Sequence, residues 1–124
     1  MRILKSESEF QTKMLEHIKS KWGIGFKISD SDCRLKMADC VVTYNAWTYW
    51  IELKYRGLHS HPSVLQHQEN SCRRVWDAGW KYYFIEYDAR THTIKALTGY
   101  VPPKINNLTE AMILQEIGLE DFIK

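Results

Sequence analysis

Downstream of Ser6-Glu7-Ser8-Glu9, apolar residues recur at helical spacing: Phe10, Met14, Ile18 and Trp22 fall on one stripe at about 100° per residue, with Lys13, Glu16 and Ser20 opposite. The Ser-x-x-Glu pattern has the form of a capping box, so an amphipathic helix opens there and should end near Gly23. Gly23-Ile24-Gly25-Phe26-Lys27-Ile28 reads as a turn and a short strand. Two β-branched and aromatic runs then flank Asn45-Ala46, which predicts an antiparallel hairpin from Ala38 to Lys54. Residues 55–63 read as a loop, after which Pro62 and Ser63 set up a helix with apolar Leu65, Cys72, Val75 and Trp76 and a stop at Gly79. Trp80 to Tyr87 is an aromatic, buried strand, and Asp88-Ala89-Arg90-Thr91 turns it into a second at 92–97. Gly99 and Pro102-Pro103 break the pattern before a last helix at about 108–118, apolar at Leu108, Met112, Leu114 and Ile117. This order predicts an α+β fold, a central mixed sheet flanked by helices, in one domain over 1–124 with its core at about 6–97.

The hairpin concentrates the chemistry. With the turn at Asn45-Ala46, positions summing to 91 face each other, so Tyr44 meets Trp47 and Asp39 meets Glu52. Two-residue and four-residue loops give this same register. Strand side chains alternate, so Lys54 shares a face with Glu52. Like charges opposed across paired strands are destabilising, and a hard divalent cation held by carboxylate oxygens would compensate them. Such a cation acidifies bound water and carries charge on a phosphoryl oxygen, while an adjacent lysine orients the nucleophile or stabilises that charge. Asp39, Glu52 and Lys54 thus outline a phosphodiester hydrolase site.

Two further side chains fall inward on their helical wheels. Glu7 lies on the line of Phe10, Met14 and Ile18, where it either complements the helix dipole or joins the acidic site. Gln68 shares the face of Leu65 and Cys72 and is directed toward the sheet, where an amide satisfies backbone groups or lies beside a metal.

Charge adds a modest basic body. Residues 105–124 hold four carboxylates against Lys124, a balance of −3, which leaves +5 on residues 1–104 within the net +2. Arg34, Lys36, Arg56, Arg73 and Arg74 are the candidates for a phosphate backbone; solvated surface charge is the plainer account of Arg34 and Lys36 and an equally good one for Arg73 and Arg74. Cys33, Cys40 and Cys72 form no disulfide framework and suit a reducing, cytoplasmic setting, in keeping with the lack of an apolar leader or spanning run. A zinc-bound adaptor built on Cys33, Cys40, His59, His61 or His67 is the alternative, weakened by the absence of any Cys-x-x-Cys.

Asp39 followed by Glu52-Leu53-Lys54 across a hairpin resembles the signature of the PD-(D/E)XK nuclease superfamily, with Ala38 where that family places a proline. Glu7-Ser8-Glu9-Phe10-Gln11 is similar to the Glu-x-x-hydrophobic-Gln opening of its VRR-NUC branch. Leu65-x-x-Gln68 ahead of Gly79 resembles that branch's motif helix, and Gln66-His67-Gln68 resembles RecU-type Holliday junction resolvases. The likeness covers roughly residues 6–88. It implies a restriction-endonuclease-like core and a DNA endonuclease dependent on Mg2+, with Mn2+ substituting. Asp39, Glu52 and Glu7 would bind the metal, Lys54 would assist the attacking water, and Gln68 would stand beside the site. It further implies branched DNA as substrate, a homodimer, and a bacterial or phage-infected cell. An inactive nuclease fold that only binds DNA or protein is the remaining alternative.

Overall fold

The computed structural model describes residues 3–28, 38–59, 63–105 and 107–123. Helix α1 spans Glu7–Ser20, and the capping box forms with a shift: Ser6 Oγ accepts from the Glu9 N–H (3.1 Å), while the Glu9 carboxylate accepts from Lys5, one residue before the cap. Phe10, Met14, Leu15 and Ile18 are buried, but Trp22 is not part of the stripe. The helix ends before it, and Trp22 itself takes the left-handed position (φ 69°) with its ring 98% exposed.

Strands β1 (Ile24–Lys27), β2 (Cys40–Tyr44), β3 (Trp47–Arg56), β4 (Lys81–Asp88) and β5 (Thr93–Ala96) lie side by side in chain order. All neighbours are antiparallel except β3 and β4, whose parallel pairing requires the crossover through helix α2 (Gln66–Asp77). The hairpin register is the expected one, Tyr44 opposite Trp47 and Cys40 opposite Ile51. Asn45 and Ala46 both have positive φ (53° and 69°), the two-residue turn whose twist matches the strands. Strand β3 runs two residues further than expected, so Tyr55 and Arg56 belong to the sheet. Helix α2 starts at Gln66, later than Pro62-Ser63 suggested, and leaves Leu65 half-exposed; it stops at Gly79 (φ 89°) as expected.

The pleat sorts β3 and β4 into two faces. Tyr49, Ile51, Leu53 and Tyr55, with Tyr83, Ile85 and Tyr87, meet α1 and the C-terminal segment: Phe10 packs on Tyr87, and Tyr49 and Tyr55 stack on Tyr83 and Tyr87. Glu52 and Lys54 turn the other way, toward α2. Helix α1 can lie close on β1 because Gly25 has no side chain; a Cβ there would stand 2.4 Å from Leu15 Cδ2.

Helix α3 (Glu110–Glu116) is shorter than expected, opened by Thr109, whose Oγ1 accepts from Met112 N–H. Met112 faces outward at 47% exposure; Ile117 is buried as expected, and Ile113, Leu119 and Phe122 are buried with it. The Glu116 carboxylate accepts from the hydroxyls of Tyr49 (3.3 Å) and Tyr83 (2.9 Å) and pairs with Lys81, which fastens α3 to the sheet. At the other end, the Leu4 N–H donates to Tyr87 Oη (3.0 Å) and the Tyr55 hydroxyl donates to the Leu4 carbonyl (2.7 Å). Among the described residues no helix is long and apolar enough to cross a membrane.

Candidate active site

The β2–β3 ladder ends at Cys40 and Ile51, and one step beyond it the side chains take over. The Asp39 N–H donates to Glu52 Oε2 (3.1 Å), and the Leu53 N–H donates to Asp39 Oδ2 (2.9 Å). Each carboxylate is therefore fixed by the backbone of the opposite arm. Gln11, on the inner side of α1, donates to the Asp39 carbonyl (3.2 Å) and holds that stretch of chain from the first helix.

Gln68 binds the constellation together from α2. Its Nε2 donates to Glu52 Oε1 (2.5 Å), while its Oε1 accepts from Lys54 Nζ (2.5 Å) and from the Leu65 N–H (3.0 Å). An amide has one donor end and one acceptor end, so this arrangement fits only with NH2 toward the carboxylate and oxygen toward the ammonium. Lys54 Nζ stays 4.0 Å from Glu52 Oε1, close enough for attraction without a direct hydrogen bond.

Glu52 is 4% exposed, an unusual place for a carboxylate. Burial first and the Asp39 charge second push its pKa up to about 8, against the pull of Lys54 and of the Asp39 N–H, and Glu7 adds a smaller push. The site is thus short of positive charge.

Glu7, expected to fall inward, is not buried. It is exposed on the first turn of α1, where water reaches it, and Glu9 is the half-buried member of the pair, drawn back by the Lys5 N–H. Its charge still reaches Glu52, which puts it at the rim. Among the described residues no three His, Cys, Asp or Glu side chains gather into a preformed metal cluster. Arg56, expected in a loop, is half-buried in β3 in register with Asp88, whose pKa it helps lower. Arg73 and Arg74 are exposed on α2, and Arg73 donates to Asn70 Oδ1 (3.1 Å). Arg34, Lys36, Cys33 and His61 lie outside the described residues.

The two thiols among the described residues are packed, and burial favours their protonated form. Cys40 and Cys72 are buried, burial pushes the Cys40 thiol up and that of Cys72 to about 12, and the Cys40 Sγ lies 3.6 Å from the Ile51 carbonyl. A zinc site needs thiolates, which these surroundings oppose.

This order of strands, with α2 crossing between parallel β3 and β4, makes an α+β, restriction-endonuclease-like fold. A solved structure described as a VRR_NUC domain superposes with a TM-score of 0.52 and 20% identity, over 68% of this chain and 87% of that one. Hjc of Archaeoglobus fulgidus, a Holliday junction resolvase from an archaeal hyperthermophile, superposes with a TM-score of 0.55 and 16% identity, over 70% of this chain and 71% of its own. The sequence matches no protein-family model and no curated protein.

Proposed function

We propose that the chain is a structure-selective DNA endonuclease, dependent on Mg2+ with Mn2+ as substitute, that acts on branched DNA such as a Holliday junction. The observation that carries this reading is the bonded set of Asp39, Glu52, Lys54 and Gln68 on a fold shared with a VRR_NUC domain and a junction resolvase. The donor set fits a hard cation. Asp39 and Glu52 present carboxylate oxygens from opposed strand positions, where two like charges otherwise repel, and the rim position of Glu7 suits a role through water. When bound, such an ion acidifies water and offsets charge on the phosphoryl oxygens.

The protein's own groups do the rest. Lys54 Nζ, held by the Gln68 oxygen, orients the attacking water and stabilises the charge that grows on the phosphate. Gln68 stops Lys54 from collapsing onto Glu52 and fixes the Glu52 carboxylate at the same time. The attacking water gives up a proton to solvent as its oxygen bonds to phosphorus, the P–O bond to the departing strand oxygen breaks, and that oxygen takes up a proton from solvent. A homodimer would present two such sites to two strands of a junction, with the basic side chains Arg34, Lys36, Arg56, Arg73 and Arg74 as contacts for the DNA.

The test compares four-way junction, flap, duplex and single-stranded substrates with Mg2+, Mn2+ or chelator. Cleavage of branched substrates only with a divalent ion is the expected result. A melting temperature raised by Mg2+ in the wild type but not in Asp39→Asn reports binding independently of cleavage. No cleavage of any substrate with either ion would overturn the proposal.

A further inference from the structure

The sheet face that carries Glu52 and Lys54 also carries Trp50, two residues earlier on the same strand. Its ring lies 5.9 Å from that of Trp80 at an interplanar angle of 50°, and the two border an open cleft of about 220 Å3 completed by Arg74, Val75 and Ala78. We propose that this cleft is a nucleobase-stacking site that takes an unpaired base of the DNA strand beside the scissile phosphate. The inference rests on the nuclease reading and deepens it: the enzyme would select DNA with an unpaired segment next to the cut.

Several observations point to that occupant. Trp80 is 49% exposed although it is a large aromatic at the mouth of a sheet, and paired bases hide the faces that such rings bind. Arg74 adds a cation to the wall; it is exposed and forms no ion pair with any described residue, which leaves its charge available to a phosphate. Trp50 and Glu52 are separated by two strand steps, about 7 Å, which is roughly two stacked-base rises along a strand. The main competitor is a second copy of this chain, since Ile24 and Phe26 are also exposed, at 54% and 66%. A subunit seated on the cleft would stand within that same distance of Glu52 and obstruct the substrate's approach.

The experiment measures binding in chelator, so that cleavage plays no part, using fluorescence anisotropy with a fully paired duplex and with the same duplex carrying a single-stranded arm. Trp80→Ala should weaken binding of the armed DNA by about ten-fold or more and leave the duplex nearly unchanged, and Trp80→Phe should restore most of it. Arg74→Ala should weaken binding of armed DNA and make it less salt-dependent, by a slope of about one. Equal affinity of Trp80→Ala and wild type for armed DNA, in a wild type that cleaves branched substrates, overturns the stacking site and leaves the nuclease intact. A wild type that neither binds nor cuts DNA overturns both. A shift of Trp80→Ala from dimer to monomer in sedimentation assigns the cleft to the subunit interface and overturns the stacking site.

Discussion

Strand β3 is two surfaces on one backbone. Tyr49, Ile51, Leu53 and Tyr55 pack into a dry aromatic and aliphatic layer, while Trp50, Glu52 and Lys54 alternate with them and face α2. Burial alone does not separate the two, since Ile51 is 0% and Glu52 4% exposed. The difference lies in what burial does. Removing Ile51 from water stabilises the fold, whereas removing Glu52 from water beside Asp39 costs stability that a bound cation would return. A buried carboxylate that the local geometry leaves under-neutralised is therefore a stronger functional marker than a buried apolar neighbour.

The sharpest way to break this contrast is a pair of substitutions one residue apart. Glu52→Gln should lower cleavage at least about a hundred-fold and leave the denaturation midpoint in chelator unchanged or raised, because it removes one of two opposed charges. Ile51→Ala should do the reverse, losing about 2–5 kcal/mol in urea unfolding while the folded fraction retains its rate. If Glu52→Gln unfolds the chain as Ile51→Ala does, the two faces are not distinct in kind.

Gln68→Ala should reduce the rate by roughly ten- to a hundred-fold, since it releases Glu52 and Lys54 together, and Lys54→Ala should act in the same range with Mg2+ affinity spared. Additive losses in the double variant would mean that the amide does not act through the lysine. For Glu7→Gln a fall of a few-fold is expected if its charge serves the rim; full activity would assign it to the helix dipole alone. The smallest effect concerns acid. Arg90 holds the buried Asp88 carboxyl down to about 2, below its usual value, so its contribution to stability is complete above about pH 5 and is lost as pH falls toward 2. Asp88→Asn should flatten that part of the stability profile, measured by thermal melts across pH 2 to 6.

Much of this was legible in the residues. Period-two alternation around a two-residue turn defined the register of Asp39 and Glu52, because pairing across a hairpin follows from counting. Gln68 was placed toward the sheet by the helical period, and its bonds to Glu52 and Lys54 agree. The failures have physical causes. Trp22 matched the α1 stripe but follows the helix end, where periodicity no longer applies. Glu7 is exposed and Glu9 half-buried, because the Lys5 N–H ahead of the cap competes for the Glu9 carboxylate. Met112 shared the expected wheel with Ile117, but Ile117 alone of the two is buried, alongside Ile113 and Phe122. Glu116 with Lys81, Tyr49 and Tyr83 left no local signal, since its partners come from 33 to 67 positions away.

The grip on Leu4 bears on how the first helix lets go. Both main-chain groups of that residue are held by tyrosine hydroxyls from β3 and β4, 51 and 83 positions along the chain. Helix ends ordinarily fray one residue at a time, but here the strand-borne clamp sits ahead of the helix, so the segment must detach as a block. Amide hydrogen exchange should then show Leu4 protected alongside the sheet, and Glu7 and Gln11 would leave the neighbourhood of Asp39 in a single opening event.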